Sequence, residues 1–190
     1  MRIVPRHGGW LEVVCGPMFS GKSEELMRRL TRATIARQRV ELLRPAADTR
    51  HGPDELVSHA GQRMDGRRIA DLDQIAALEA DVIGFDEVQF FPEGIVDVID
   101  DLTQRGVRVV CCGLDMDYRR RPWPVTQALL ARAEFADKLQ AVCLVCGGPA
   151  TLSQRLEADG SPASDAGPTV EIGNGERYEA RCRACFRSGA

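Results

Sequence analysis

The sequence is short of several things at once. Lysine stands at only two positions, Lys22 and Lys138, among 25 basic residues in a chain of 190. Aromatic residues make up 5%. No apolar run approaches the roughly 18–20 residues needed to span a bilayer, and Met1–Gly9 carries charge and a proline where a secretory leader needs an apolar stretch. Net charge is also small, −3, from 25 Lys and Arg against 28 Asp and Glu. Each shortage excludes something. Membrane spanning and secretion lose their sequence basis. A near-neutral, aromatic-poor chain lacks the basic, aromatic-studded surface that nucleic acid recognition wants. No nucleic acid and no membrane are therefore expected as partners, and the chain reads as cytoplasmic. Thiols stay reduced in that compartment, so the seven cysteines are packing residues or metal ligands before they are disulfides. A chain that uses arginine almost everywhere keeps a lysine where a compact ammonium is wanted.

What is present alternates. Strand-like apolar runs at Leu11–Cys15, Val40–Leu43, Val82–Phe85, Val107–Cys112 and Leu139–Val142 are separated by helix-like stretches, the pattern of a parallel sheet wound with helices. After Ser20, positions Leu26, Met27, Leu30, Ala33 and Ala36 share one helical face and arginines the other. Pro92 introduces a second helix with the stripe Ile95, Val96, Ile99 and Leu102, stopped by Gly106. Asp71–Leu78 and Val125–Ala136 read as shorter helices. No internal repeat is present. From about residue 139 the texture changes to cysteine pairs and a small, polar segment, Glu157–Pro168, which cannot bury enough surface to order itself and is expected to be mobile without a ligand. The expected division is a core over residues 1–138 and a smaller domain over 139–190.

Gly16-Pro17-Met18-Phe19-Ser20-Gly21-Lys22-Ser23 fits G-x-x-x-x-G-K-[ST] between an apolar strand and an amphipathic helix. Each residue type has a reason. Glycines let successive backbone N–H groups face inward, the helix N-terminus adds its positive end, the lysine reaches the β- and γ-phosphates, and the serine hydroxyl serves Mg²⁺. Chance would produce this pattern on the order of once per thousand chains of such composition. The loop predicts a nucleoside triphosphate site.

The run Val82–Phe85 ends in Asp86-Glu87, followed by Val88-Gln89-Phe90-Phe91. Parallel strands share one carboxyl rim, so Asp86, Glu87 and Asp115 are expected to converge near the phosphate loop. Side chains alternate along a strand, so the two neighbouring acids can divide the labour, Asp86 holding Mg²⁺ and Glu87 acting on a second substrate as general base. Asp48-Thr49-Arg50 invites a similar reading on weaker grounds.

Cys143-Leu144-Val145-Cys146 and Cys182-Arg183-Ala184-Cys185 are paired C-x-x-C knuckles 35 residues apart. Four thiolates suit tetrahedral Zn²⁺ and leave no open position, so the metal is expected to be structural. Cys15, Cys111 and Cys112 lie in apolar strands and read as small core residues.

Taken together these residues resemble type II thymidine kinases, the group that includes the cytosolic human and most bacterial enzymes. The resemblance runs nearly end to end and is carried by GPMFSGKS at Gly16–Ser23, ADTR at Ala47–Arg50, SHAG at Ser58–Gly61, FDEVQFF at Phe85–Phe91, GLDMDYR at Gly113–Arg119, and the cysteine pairs with YEARC at Tyr178–Cys182. It implies an α/β fold with a P-loop, RecA-like core whose parallel sheet is flanked by helices, plus a small zinc-binding lasso domain. The reaction implied is transfer of the ATP γ-phosphate to the 5′-hydroxyl of thymidine, and of deoxyuridine, with Glu87 as base. Gly16–Ser23, Arg50, Asp86 and Gln89 would serve ATP, and Ser23, Asp48 and Asp86 the Mg²⁺. Met18, Phe91, Leu114, Tyr118, Trp123, Ser153, Ile172 and Tyr178 match positions that enclose the nucleoside, whose base the family reads through lasso main-chain groups. Feedback inhibition by thymidine triphosphate and a homotetramer are also implied. This chain departs in having Tyr118 and Trp123 where phenylalanine is usual, Ser153 where threonine is usual, and Val88 where glycine is common.

Two other readings compete. A phosphate-loop kinase for another deoxynucleoside would share every ATP-side residue. A zinc-knuckle nucleic acid binder with an ATPase core would want basic surface, for which Arg119-Arg120-Arg121 is the one local cluster.

Overall fold

A computed structural model describes residues 8–48, 55–57, 61, 63–167, 169 and 177–189. Thr49, Arg50, Ser58, His59, Ala60, Pro168 and Ile172 lie outside the described residues.

The chain runs from β1 (Trp10–Cys15) through α1 (Lys22–Ile35), β2 (Val40–Pro45), β3 (Glu55–Val57), β4 (Arg63–Asp65), β5 (Arg67–Ile69) and α2 (Leu72–Ala76) to β6 (Val82–Phe85). A 3₁₀ turn (Val88–Phe90), α3 (Ile95–Gln104), β7 (Arg108–Gly113), α4 (Pro124–Arg132) and β8 (Phe135–Lys138) follow. Last come β9 (Ala141–Val142), β10 (Pro149–Ala150), β11 (Leu152–Arg155) and β12 (Tyr178–Arg181). Six strands form one sheet in the order β5-β2-β6-β7-β1-β8, parallel throughout. β3 pairs with β4, β9 with β10 and β11 with β12, each antiparallel.

Alternation along the buried strands sorts the core into two layers. Leu11, Val13, Ile83, Phe85, Val109 and Cys111 face α3 and α4 through Ile95, Ile99, Leu102, Val125 and Leu129. Val14, Val82, Val110 and Cys112 face α1 through Leu26, Met27, Leu30 and Ala33. Gly84 lies under α1, where an added Cβ would sit 2.6 Å from a Leu30 methyl. Its missing side chain lets α1 press onto β6.

Three expectations are corrected. The last helix stops at Arg132, and Phe135–Lys138 is a strand of the main sheet paired with Glu12–Cys15. Helical periodicity had absorbed it because Ala133-Glu134-Phe135-Ala136 contains good helix formers, but Ala133 is already extended. Of the expected strand Leu139–Val142, only Ala141–Val142 pairs, in the β9–β10 ribbon. Arg29 is buried rather than on the solvated face of α1. It meets Glu12 at 2.7 Å, Glu25 at 2.8 Å and Asp137 at 2.7 Å, linking α1 to β1 and β8, while Arg108 reaches Glu12 from β7. Burial pushes the Glu12 carboxyl up, yet bonds from Arg108 and Trp10 and the charges of Arg108 and Arg29 hold it below its ordinary value.

Removing the central guanidinium takes a buried cation from three carboxylates at once, with Glu12 keeping Arg108 and Glu25 keeping Arg28. Arg29→Met should therefore lower the unfolding free energy by about 3 kcal/mol in a urea titration. Arg63→Met, which removes an exposed pair with Glu55, should leave the midpoint nearly unmoved.

Candidate active site at the carboxyl rim of the sheet

The phosphate loop leaves β1 and enters α1 through Gly21, whose φ of 81° is left-handed. No side chain caps the helix start, so its first amides are available to an anion. The Lys22 ammonium is buried within the loop and donates to the Pro17 carbonyl at 2.7 Å, and the Ser20 hydroxyl donates to the same oxygen at 2.8 Å. The Ser23 hydroxyl, one residue on, donates to Asp86 Oδ1 at 3.0 Å. β7 lies between β1 and β6, so this bond joins the phosphate loop to the acidic strand end across an intervening strand. A hydroxyl and a carboxylate in contact beside a phosphate loop are a fitting donor set for Mg²⁺.

Asp86 is almost fully buried and also accepts from the Cys112 thiol, 2.8 Å from the same oxygen. Burial, and then the charge of Asp86, push this thiol well above its ordinary range, so it remains a protonated donor. Cys112 packs as a core residue but also touches the site. Its sequence signal was weak, since a cysteine in an apolar strand is most simply packing. Asp48 follows β2 with its carboxylate held by the fully buried Arg44 at 3.1 Å. Arg44 was also missed, because it follows the apolar run Val40–Leu43 and only the observed strand, which extends to Pro45, shows that it is buried. Asp115 pairs with Lys138, so both lysines of the chain stand at this rim.

Glu87 adopts left-handed backbone, φ 50° and ψ 45°, uncommon for a residue with a side chain and a feature that clusters at functional sites. Gln89, expected on the ATP side, has its amide between Glu87 and the Leu114 backbone.

The nucleoside-side residues divide. Ser153 on β11 accepts the Met18 N–H at 3.0 Å, tying the phosphate loop to the cysteine-rich region. Trp123 stacks edge-on against Phe90, 5.5 Å between centroids. Its indole N–H and the nearby Thr126 hydroxyl are buried with no hydrogen-bond partner among the described residues, which costs about 1–3 kcal/mol per group until a polar ligand or water supplies one. Leu114 is half-buried on the same rim, and Tyr178 is half-buried on β12, paired with Arg155. Phe91 is in the main core against Phe85. Tyr118 is buried with the guanidiniums of Arg155 and Arg119 at 4.8 and 5.0 Å from its ring.

The segment expected to lack order is pinned over its described part. The Tyr118 hydroxyl donates to the Ser164 carbonyl at 3.1 Å, Arg119 donates to the Gly167 carbonyl, and Ala163 is buried with its N–H on the Arg155 carbonyl. Composition alone misses this because the order comes from residues elsewhere in the chain. The arginine cluster is spent here too, with Arg120 lying over the Phe186 ring at 5.1 Å.

The two C-x-x-C turns are brought together by the bond from the Leu144 N–H to the Ala180 carbonyl. All four sulfurs lie within 4.8 Å of one another, with Cys146 and Cys182 3.7 Å apart. Tetrahedral Zn–S bonds of about 2.3 Å require sulfurs about 3.8 Å apart, so the cluster fits zinc. A hydrogen bond from the Cys182 backbone, with others from Cys146 and Val145, brings the Cys143 thiol down to about 6. Cys185, bonded to the Cys182 and Cys146 side chains, is pushed up to about 12. Thiols this close cannot all ionise without a cation between them.

A parallel sheet, a glycine-rich loop feeding a helix, and a buried acid reached from that helix define a phosphate-loop nucleotide-binding protein. The family model described as thymidine kinase matches residues 9–186, and the chain belongs to the thymidine kinase family. Membership implies kinase chemistry of the thymidine kinase type, with Mg–ATP and thymidine as substrates. Among solved structures, the flagellar accessory protein FlaH from Methanocaldococcus jannaschii is similar with a TM-score of 0.51 and 12% identity, over 75% of each chain. That likeness concerns the fold alone. No helix among the described residues is long and apolar enough to cross a membrane.

Metal analysis of protein purified without chelators should find about one Zn²⁺ per chain. Cys143→Ser should lose it and lower the thermal midpoint, and an unchanged midpoint with no zinc in either protein would remove the structural site.

Proposed function

We propose that the chain transfers the γ-phosphoryl group of ATP to the 5′-hydroxyl of thymidine, and of deoxyuridine, giving the nucleoside monophosphate. The Ser23–Asp86 hydrogen bond immediately beside Glu87 carries this reading, because it puts a divalent-cation donor pair next to an acid with a separate direction to serve. Residues 1–138 would form the ATP-binding core and 139–190 the lasso, joined at the Met18–Ser153 bond.

Lys22 exchanges the Pro17 carbonyl for the β- and γ-phosphates, and the loop amides hold the remaining oxygens. Ser23 and Asp86, with Asp48 behind them on the same rim, would hold Mg²⁺, which supplies charge neutralisation when bound. Glu87 accepts the proton of the 5′-hydroxyl as its oxygen bonds to the γ-phosphorus. The bond from that phosphorus to the β–γ bridging oxygen breaks, and ADP leaves. Met18, Leu114, Trp123, Ser153 and Tyr178 would enclose the nucleoside, and the orphaned Trp123 indole N–H supports a polar ligand there. Phe91 and Tyr118 would shape the pocket from within the packed layers. Glu87→Gln should keep Mg–ATP binding and lose turnover by about 10²–10⁴-fold in a steady-state assay.

Base choice tests the substrate. If lasso main-chain groups around residues 172–178 read the pyrimidine edge, their donor and acceptor pattern is fixed. Cytosine reverses that pattern at N3 and the 4-position, two mismatches of about 1–3 kcal/mol each. Deoxyuridine lacks only a methyl, worth roughly 0.8 kcal/mol. With ATP, Mg²⁺ and a nucleoside panel, deoxyuridine should run within about tenfold of thymidine in kcat/KM, and deoxycytidine at least about 30-fold below it. Comparable rates for deoxycytidine and thymidine would replace this proposal with the broader deoxynucleoside kinase reading.

A further inference from the structure

Gln89 is 5% exposed and sits two residues beyond Glu87 on the 3₁₀ turn that closes with the Phe90 N–H on the Glu87 carbonyl. Its side-chain amide has two neighbours, the Leu114 backbone N–H at 3.0 Å and the Glu87 carboxylate at 2.6 Å. Their chemistry fixes its orientation. An N–H can only donate, so the amide oxygen must face Leu114, and the amide nitrogen is left to donate to Glu87. Gly113 makes room for this arrangement. A Cβ there would lie 2.4 Å from the Gln89 amide oxygen and 3.0 Å from a Val88 methyl, so a side chain would evict the amide from the Leu114 N–H. Both polar ends of a buried amide are thus used within the protein.

We propose that Gln89 is a positioning residue: aimed by the Leu114 N–H and admitted by Gly113, its amide nitrogen holds the Glu87 carboxylate in place as a charge-assisted donor. The inference rests on Glu87 being the base. Glu87 is held in left-handed backbone, so its side chain starts from an unusual direction, and a fixed donor restricts where its carboxylate can go. A hydrogen bond to a charged group of this kind is worth about 10- to 100-fold when lost.

The experiment compares Gln89→Met, similar in size but without donor or acceptor, with the wild type in steady-state kinetics and in equilibrium Mg–ATP binding. The expected result is a kcat lower by about 10- to 100-fold with KM for ATP and the ATP dissociation constant within about twofold of wild type. In a Glu87→Gln background, Gln89→Met should add little further loss, because the group it positions is already gone. A raised KM for ATP with unchanged kcat would return Gln89 to the ATP site and overturn the proposal, as would full additivity of the two variants. If Glu87→Gln itself keeps wild-type turnover, the reading of the base fails instead. Should Gln89→Met not fold, Gly113→Ala decides with Gln89 intact: a lower kcat at unchanged ATP affinity supports the clamp, and wild-type kcat overturns it.

Discussion

The structure hangs on one bond across a strand. Ser23 on the first turn of α1 donates to Asp86 beyond β6, although β7 separates β6 from β1 and places the two strands roughly 10 Å apart, two strand spacings. The helix has to lie diagonally over β7 and β6 to bring its first turn there. Gly84 permits this by giving up its side chain under Leu26 and Leu30. Cys112, at the end of the intervening strand, fills the gap between loop and acid with a thiol that donates to the same carboxylate oxygen.

Charge holds the helix in that position. Arg29 is buried on the face of α1 that also carries the apolar stripe, and it reaches acids from α1, β1 and β8. A guanidinium can satisfy three carboxylates at once where an ammonium would act as a point charge. The two lysines go elsewhere, Lys22 into the phosphate loop and Lys138 onto Asp115 at the same rim. The arginine-rich composition thus reads as one residue type for bracing and another for the site.

Legibility followed the range of the interactions. The phosphate loop, the Asp86–Glu87 strand end and both cysteine pairs are readable because each is a short motif whose residue types name their chemistry, although the groups they meet come from elsewhere in the chain. β8 was not readable, because its pairing with β1 is made across more than a hundred residues of sequence while its own composition is helical. The order of residues 157–167 was hidden for the same reason, since Tyr118 and Arg119 impose it from another loop. Gln89 was legible as part of a motif but not in its contacts, which depend on Gly113 at the end of β7 and on the amide of Leu114 just beyond it. Arg29 reads from the sequence as one of the arginines on the outer face of α1, because burial of a cation shows only once its acids are assembled around it; Arg44 has no reading from the sequence.

The most direct test of the account is where the γ-phosphoryl group goes. Phosphorus NMR of the purified chain with Mg–ATP and thymidine should show ADP growing together with one new phosphomonoester signal, coupled to the 5′-methylene protons of the nucleoside. ADP growing with inorganic phosphate alone, or an ester at any other oxygen, would contradict it.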